Sequence, residues 1–382
     1  MIVIESKETQ VKTVLNEIKY LRGMQSFLID TRNSNQYRVI VKEKLGHTAY
    51  CFSTPIYNID TQKITNREFC KTKTGYTFKG TNGTVSIYQN RCVLENKDGR
   101  AVLLLNDTPM IQGFQGSERS NITVAPTLNG ICFVIDKKNF SCSLSFEAKH
   151  ERILYNSSSF SIMQEKFKPF LSVSTLYATD GKETFLPVEI RHIENGPQSY
   201  TLDFNHKVPG GTFMFEMNLY EPKLFQDTTV ESMHPDKNNA YGSIGFIGKT
   251  KQHGEQWLYS RPDFSKNSDL TSSRIDKVLL HIPVLNGSLE NVEVYIPEKR
   301  FCSFGSTWNK KVNSSGKVAS SNNNGRYITI DVTSMFTNRS EQILEYNEGL
   351  ILKKPKGKND FIAISTGDCY FSPQILEIKF KK

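Results

Sequence analysis

The chain is predicted to be all-β, with tandem antiparallel β-sandwich or jelly-roll domains behind a short N-terminal amphipathic helix. Three observations lead there. Runs of alternating apolar and polar residues recur along most of the 382 residues, turn residues separate them, and the 24 glycines and 14 prolines are scattered rather than clustered. Hydrophobic residues at 37% and aromatics at 11% suffice for folded cores, and the length suits two or three domains.

Residues 1–24 hold the helical signal. Val11, Val14, Leu15, Ile18 and Leu21 recur on one face within residues 7–22, with Ser6 as N-cap and Gly23 as stop. Such a stripe demands a partner, either the chain's own β domain or a neighbouring subunit.

Residues 25–155 read as an antiparallel β domain. Its strands are Tyr37-Arg-Val-Ile-Val41, Gly75-Tyr-Thr-Phe-Lys79, Thr84-Val-Ser-Ile-Tyr88, Ala101-Val-Leu-Leu-Leu105, Gly130-Ile-Cys-Phe-Val-Ile135 and Ser141-Cys-Ser-Leu-Ser-Phe146. Asn82-Gly83 and Asp98-Gly99 are hairpin dipeptides, since both supply the positive φ of a tight turn. Residues 156–223 add the runs at 170–174, 185–190, 199–204 and 212–217, spaced as in a small β-sandwich, and 220–223 form the linker onward. Residues 224–382 complete the chain, with 313–325 as a long polar loop.

Seven cysteines, at positions 51, 70, 92, 132, 142, 302 and 369, form no Cys-x-x-Cys pair, which speaks against zinc and against a disulfide framework. They read as small buried hydrophobes of a protein folded under reducing conditions. The N-terminal residues lack the pattern of a signal peptide, and no run is long and apolar enough to span a bilayer. The net charge of +9 is diffuse, its clusters being Lys353 to Lys358, which reads as a solvated hairpin-like turn rather than a phosphate-binding patch, and Lys379 to Lys382; it suits an anionic surface, and no nucleic acid is expected as a partner.

Catalytic motifs do not assemble. Ser243 to Thr250 ends like a phosphate-binding loop but lacks its first glycine and a following helix, and neither His-Glu-x-x-His nor Gly-x-Ser-x-Gly occurs. Glu189, Asp203 and Glu216 alternate with apolar residues and read as the solvent side of strands rather than as a glycosidase pair. The expectation is therefore no enzyme, no cofactor and no metal site. Trp257, Tyr259 and Tyr295 are candidates for a sugar-stacking surface, and Asn322, Asn323 and Asn324 in the polar loop for its hydrogen bonds.

Across 224–382 a further pattern emerges: Asp227-Thr-Thr-Val230, then Pro235, Asn238 and Tyr241-Gly242, Ser306-Thr307-Trp308, a strand ending Asp331-Val-Thr333, Gly349-Leu350, and Pro373 entering the last strand. This order resembles the DNRLRE domain, with one departure: Arg274 is present, but the strand after it does not end in Phe. The resemblance implies a sandwich or jelly roll similar to carbohydrate-binding modules, with Asp227, Trp308, Asp331, Thr333, Gly349 and Pro373 as scaffold positions. Asp331 then braces its turn, with calcium ligation as the lesser alternative.

Such domains occur in large bacterial surface and polymorphic-toxin proteins. Joined to the missing signal, disulfide and catalytic patterns, the resemblance implies a non-catalytic structural or adhesion component of a bacteriophage virion or phage-tail-like particle. Its expected partners are other particle subunits, further copies of itself and a cell-surface polysaccharide or teichoic-acid-like polymer, without membrane insertion. The alternatives are an exported bacterial surface glycan-binding protein and a polysaccharide-degrading enzyme bearing an accessory module.

Overall fold

Side-chain oxygens and tight turns set the strand pairing. In a computed structural model of the chain, Asn96 Oδ1 accepts the N–H groups of Asp98 at 2.8 Å and Gly99 at 3.2 Å, closing the Arg91–Asn96 strand onto Gly99–Leu105. The Gly80 N–H donates to the Gly83 carbonyl at 2.9 Å and closes Tyr76–Lys79 onto Thr84–Ile87.

The structure describes residues 2–4, 14–30, 32, 34, 37–44, 46–54, 57–58, 63–64, 69–80, 82–88, 90–105, 122–127, 129–156, 158–165, 168–180, 185–186, 188–220, 225–251, 253–262, 274–287, 292–323, 326–337, 348–355, 360–369 and 372–381. Among these, helix is confined to Val14–Leu21 and Thr333–Thr337, and the rest of the regular structure is strand. The chain divides into two units, residues 1–17 with 63–222 and residues 18–62 with 223–382.

The first unit pairs two eight-stranded sheets. One runs Ile2–Ile4, Ile122–Pro126, Gly130–Ile135, Thr212–Leu219, Lys168–Thr179, Ser159–Glu165 and Arg152–Tyr155, with Phe185–Leu186 on the flank of Lys168–Thr179. Ile2–Ile4 joins in parallel, its neighbours antiparallel. The other runs Glu189–Gly196, Ser199–Asn205, Asn139–Ala148, Gly99–Leu105, Arg91–Asn96, Thr84–Ile87, Tyr76–Lys79 and Cys70–Lys71. One core takes Phe133, Val173 and Phe215 from the first sheet and Leu94, Leu103, Leu144 and Leu202 from the second. Along Asn139–Ala148 the residues Phe140, Cys142, Leu144 and Phe146 are buried while Glu147 is exposed, as the two-residue side-chain period requires. Each buried phenylalanine contributes about 2 kcal/mol of transfer free energy.

This arrangement corrects the expected boundary near residue 155. Gly130–Ile135 pairs with Thr212–Leu219, and Asn139–Ala148 pairs with Ser199–Asn205. Ladders across the boundary make one sandwich of what the run spacing divides into two.

The second unit is built on Ile275–Gly287. Residues 275–281 pair with Ile375–Phe380, residues 279–283 pair with Tyr327–Asp331, and the strand then shifts register after Val284 and pairs with Phe361–Ser365. Ile244–Thr250, Gly254–Pro262, Leu350–Lys353, Glu293–Pro297 and Ser314–Ser320 follow in spatial order, with Phe225–Glu231 on the flank of Gly254–Pro262. On its other side Ile375–Phe380 pairs with Gly46–Phe52, which pairs with Arg38–Glu43, and Leu28–Ile29 ends the row. One core collects Ile40 and Cys51, Leu258, Val278 and Leu280, and Ile362 and Ile378. Residues 38–52 therefore complete the C-terminal unit rather than opening the domain expected at 25–155.

The run at 313–325 is largely strand, not loop. Ser314–Ser320 pairs with Glu293–Pro297, and Asn322–Asn323 pairs with Tyr327–Asp331. Backbone pairing decides the structure where side chains offer no apolar period. Ile244 to Gly248 likewise lies in an antiparallel ladder with Phe361–Ser365, and Gly248 to Thr250 pairs with Gly254–Pro262, which leaves no loop to wrap a phosphate.

Of the N-terminal helix, residues 7–13 lie outside the described residues, and Val14–Leu21 is helical. Gly23, at φ +63°, ends it: its N–H donates to Tyr20 at 3.0 Å and that of Met24 to Lys19 at 2.7 Å. Its last turn docks within the second unit. Ile18 is fully buried, Tyr20 lies 5.9 Å from the Tyr327 ring, and the Arg22 guanidinium donates to both carboxylate oxygens of Glu43 at 2.6 and 3.2 Å. Cys51, Cys92, Cys132, Cys142 and Cys369 are buried as expected, and burial pushes the Cys92 and Cys142 thiols up. Cys70 and Cys302 are exposed, which corrects the reading of all seven as core residues: Cys70 lies on the short strand that ends its sheet, and Cys302 in a turn.

Candidate functional site

Alternation along the strands carries the second unit's chemistry to the face opposite its main core. On Gly254–Pro262, Leu258 points into that core, and Trp257 and Tyr259 point the other way. Tyr259 opposes Ile351 and Tyr295 opposes Ile351 from the far side, while Val230 opposes Trp257. These residues, with Phe301 and Val312, form a second apolar cluster on which Trp257, Tyr295 and Trp308 rest half-buried.

Two lysines complete the face. Lys353 Nζ lies 3.5 Å from the Trp257 ring centre and 4.8 Å from that of Tyr295, so the ammonium is wedged between two rings. Lys311 Nζ lies 4.1 Å from the Trp308 ring centre and 5.4 Å from that of Trp257, and the two indoles sit 5.1 Å apart at 55°. Partial desolvation lowers the Lys311 ammonium pKa, and the charge of Glu255 opposes that shift. At the margin Lys317 Nζ donates to Glu293 Oε1 at 2.7 Å and the Tyr295 hydroxyl to Glu293 Oε2 at 2.8 Å. The Lys317 bond holds Glu293 below the usual carboxylate range. Trp257 Nε1 donates to Glu255 Oε1 at 2.8 Å. Ammonium groups over aromatic faces in a partly dry setting are each worth about 0.5 to 2 kcal/mol, which fixes this array as a unit.

The structure brings Trp257 and Tyr295 together as expected and adds Trp308, which is half-buried rather than a core anchor. It removes Tyr259, which is fully buried and donates its hydroxyl to the Val312 carbonyl at 2.5 Å. The same alternation that puts Tyr259 beside Trp257 places it under the turn carrying Val312. Asn322 and Asn323 lie on a strand whose partner is Tyr327–Asp331, not any strand bearing Trp257 or Tyr295; Asn324 lies outside the described residues. Lys311 escaped the sequence reading; Lys353, expected in a lysine-rich solvated turn, instead ends the Leu350–Lys353 strand two residues past Ile351 and so shares its face.

The scaffold positions sit at crossings of the chain. Buried Asp227 Oδ2 accepts the Gly367 N–H, and Asn238 Nδ2 donates to the carbonyls of Ser303 at 2.7 Å and Ser306 at 2.8 Å. Asp331 Oδ1 accepts the N–H and hydroxyl of Thr333 at 3.0 and 2.5 Å, bracing the turn into Thr333–Thr337. Gly349 takes φ +93°, and a Cβ there would lie 2.7 Å from the Phe301 ring and 2.9 Å from the Ser260 carbonyl, so only glycine fits beneath the aromatic face. Pro373 is buried two residues before Ile375–Phe380.

Of the carboxylates expected on solvent faces, Glu189 and Asp203 are half-buried, but Glu216 is fully buried and accepts from Asn218 Nδ2 at 3.1 Å. A cleft of about 680 Å³ beside the helix is lined by Arg22, Glu43, His47, Tyr50, Glu377 and Lys379. Its charges answer one another, Arg22 with Glu43 at 2.6 Å and Lys379 with Glu377 at 3.3 Å. A third constellation escaped the sequence reading because its members are 3 and 22 residues from Glu231: His234 Nδ1 lies 3.5 Å from Glu231 Oε1, and His253 Nδ1 bonds Glu231 Oε2. Burial alone would raise the Glu231 carboxyl, but the His253 bond and the Lys237 charge override it and hold it near about 2. No protein-family model matches the chain, and no curated protein matches it either.

Proposed function

We propose that this chain is a non-catalytic binding component of a bacteriophage virion or phage-tail-like particle, and that its aromatic and lysine face takes an anionic cell-surface polymer. The observation that carries the reading is Lys353 wedged between Trp257 and Tyr295, with Lys311 over Trp308. Ring faces covered by ammonium groups leave little area for stacking a neutral pyranose. They offer positive charge backed by apolar surface, which suits a polymer carrying phosphate or carboxylate groups. The net charge of +9 adds a long-range attraction to such a surface. The particle setting rests on the DNRLRE-like order of residues 227–373.

The test is equilibrium binding of the full chain to purified teichoic acid and to a neutral glucan, with reducing ends assayed in parallel. The expected result is saturable binding to the anionic polymer alone, weakened about tenfold by several-fold more salt, with no new reducing ends. Preference for the neutral glucan, or cleavage of either polymer, overturns the proposal. Co-sedimentation with particles from the producing cells at fixed stoichiometry tests the setting separately.

A further inference from the structure

We propose that Glu231, His234 and His253 form a divalent metal site of the zinc class, in which the ion takes the place that the Lys237 ammonium holds. Glu231 ends the Phe225–Glu231 strand, His234 follows in the turn, and His253 lies in the hairpin between Ile244–Thr250 and Gly254–Pro262. One ligand atom from each of the three residues lies within 4.8 Å of the others. Zinc–nitrogen and zinc–oxygen bonds of about 2.1 Å place tetrahedral ligands about 3.4 Å apart, so the widest separation, up to 4.8 Å, must contract by about 1.4 Å. The half-exposed His234 side chain can supply it by a small rotation, while the Glu231–His253 pair, held in place but hydrogen-bonded closer than that spacing, gives up its shared proton and parts to admit the ion.

The held pair is built like a metal half-site. The Glu231 carboxylate is 1% exposed, and Phe246 stacks on the His253 ring at 5.9 Å and 12°. The His253 N–H donates to Thr250 Oγ1 at 3.0 Å, which fixes the backbone behind the ring. A buried carboxylate facing two imidazoles calls for a cation, and Lys237 Nζ answers at 3.0 Å from Glu231 Oε1. Its long side chain can swing out, whereas a dication would engage all three groups at once. Two imidazoles and a carboxylate are a borderline donor set that favours zinc over calcium or magnesium, with water as the fourth ligand.

The site has structural leverage. The turn it would pin carries Pro235, whose carbonyl accepts the Asn309 N–H at 3.0 Å, and Asp236, whose Oδ1 accepts Asn309 Nδ2 at 2.9 Å. Asn309 adjoins Trp308, so the ion would steady one edge of the aromatic face.

The test is calorimetric titration of the tag-free full chain with zinc chloride after chelator treatment, with melting temperature as a second readout. The expected result is one equivalent bound and a raised melting temperature, with visible d–d absorption when cobalt replaces zinc. His234→Ala alters a half-exposed side chain and so leaves the fold intact; it should weaken zinc binding at least about tenfold. Lys237→Met should tighten it by removing the competitor. Absence of saturable binding, zinc binding unchanged in His234→Ala, or weaker binding in Lys237→Met overturns the proposal.

Discussion

The two units use aromatic rings in opposite ways. In the first, Phe133 and Phe215 stack at 4.6 Å and Phe204 and Phe215 at 4.3 Å in a core that excludes water, so burial stabilises the rings. In the second, Trp257, Trp308 and Tyr295 rest half-exposed on a sheet's outer face, with Lys311 and Lys353 against them. Ring content alone does not locate function; what covers each ring does. Rings covered by rings hold a fold together, whereas rings covered by ammonium groups present positive charge backed by apolar surface.

The largest effect expected concerns how each unit is closed in sequence. Residues 224–382 expressed alone lack the Gly46–Phe52 strand against Ile375–Phe380 and lose Ile40 and Cys51 from the core. That fragment should melt without cooperativity, and linking residues 18–62 to it should restore a single transition by circular dichroism. A fragment 224–382 that melts sharply by itself would show that the borrowed strands are ornamental.

Next in size is the contrast between the two kinds of ring. Phe215→Ala should destabilise by about 3 to 5 kcal/mol in urea, whereas Trp257→Ala or Trp308→Ala, at half-buried sites, should cost about 1 to 2 kcal/mol. Equal costs would erase the distinction.

The same contrast explains how much was legible in the sequence. Strands with one buried face announced themselves: the run at 141–146 lies within Asn139–Ala148, and hairpins form at Asn82-Gly83 and Asp98-Gly99, although of these four residues only Gly99 takes the positive φ expected of both dipeptides. Partners were not legible, because alternation says which face is buried and not which strand lies alongside; Cys51 and Leu376 pair across the whole unit. The polar strand Ser314–Ser320 shows no apolar period and ends the sheet's row, so nothing in its side chains marked it. Of the candidate face, the tryptophans and Tyr295 were visible, and the burial of Tyr259 was not. The Glu231, His234 and His253 cluster is created by a turn and a hairpin meeting, which no local spacing encodes.

A smaller effect follows from charge. The Arg22 hydrogen bond holds Glu43 below its ordinary value of 4.5 against the pull of burial. For Glu377 burial pushes upward, and the His281 bond with the Lys379 charge holds it below 4.5. Both carboxylates have depressed pKa values in the folded state, so their stabilisation is complete above 4.5 and is lost as pH falls through the lower folded values. Urea midpoints measured from about pH 6 down to about pH 3 should therefore drop below about pH 4.5, less steeply in Glu43→Gln with Glu377→Gln. An equal drop in the double variant would place the acid sensitivity elsewhere.

The proposed binding depends on the lysines over the rings, and binding of teichoic acid by Lys311→Met with Lys353→Met tests it most directly. The expected result is a double variant that stays folded and loses about 1 to 4 kcal/mol with its two ammonium groups, affinity for the anionic polymer reduced at least about tenfold, and a shallower dependence on salt. Unchanged affinity and salt dependence in that variant, with its fold intact, would contradict it.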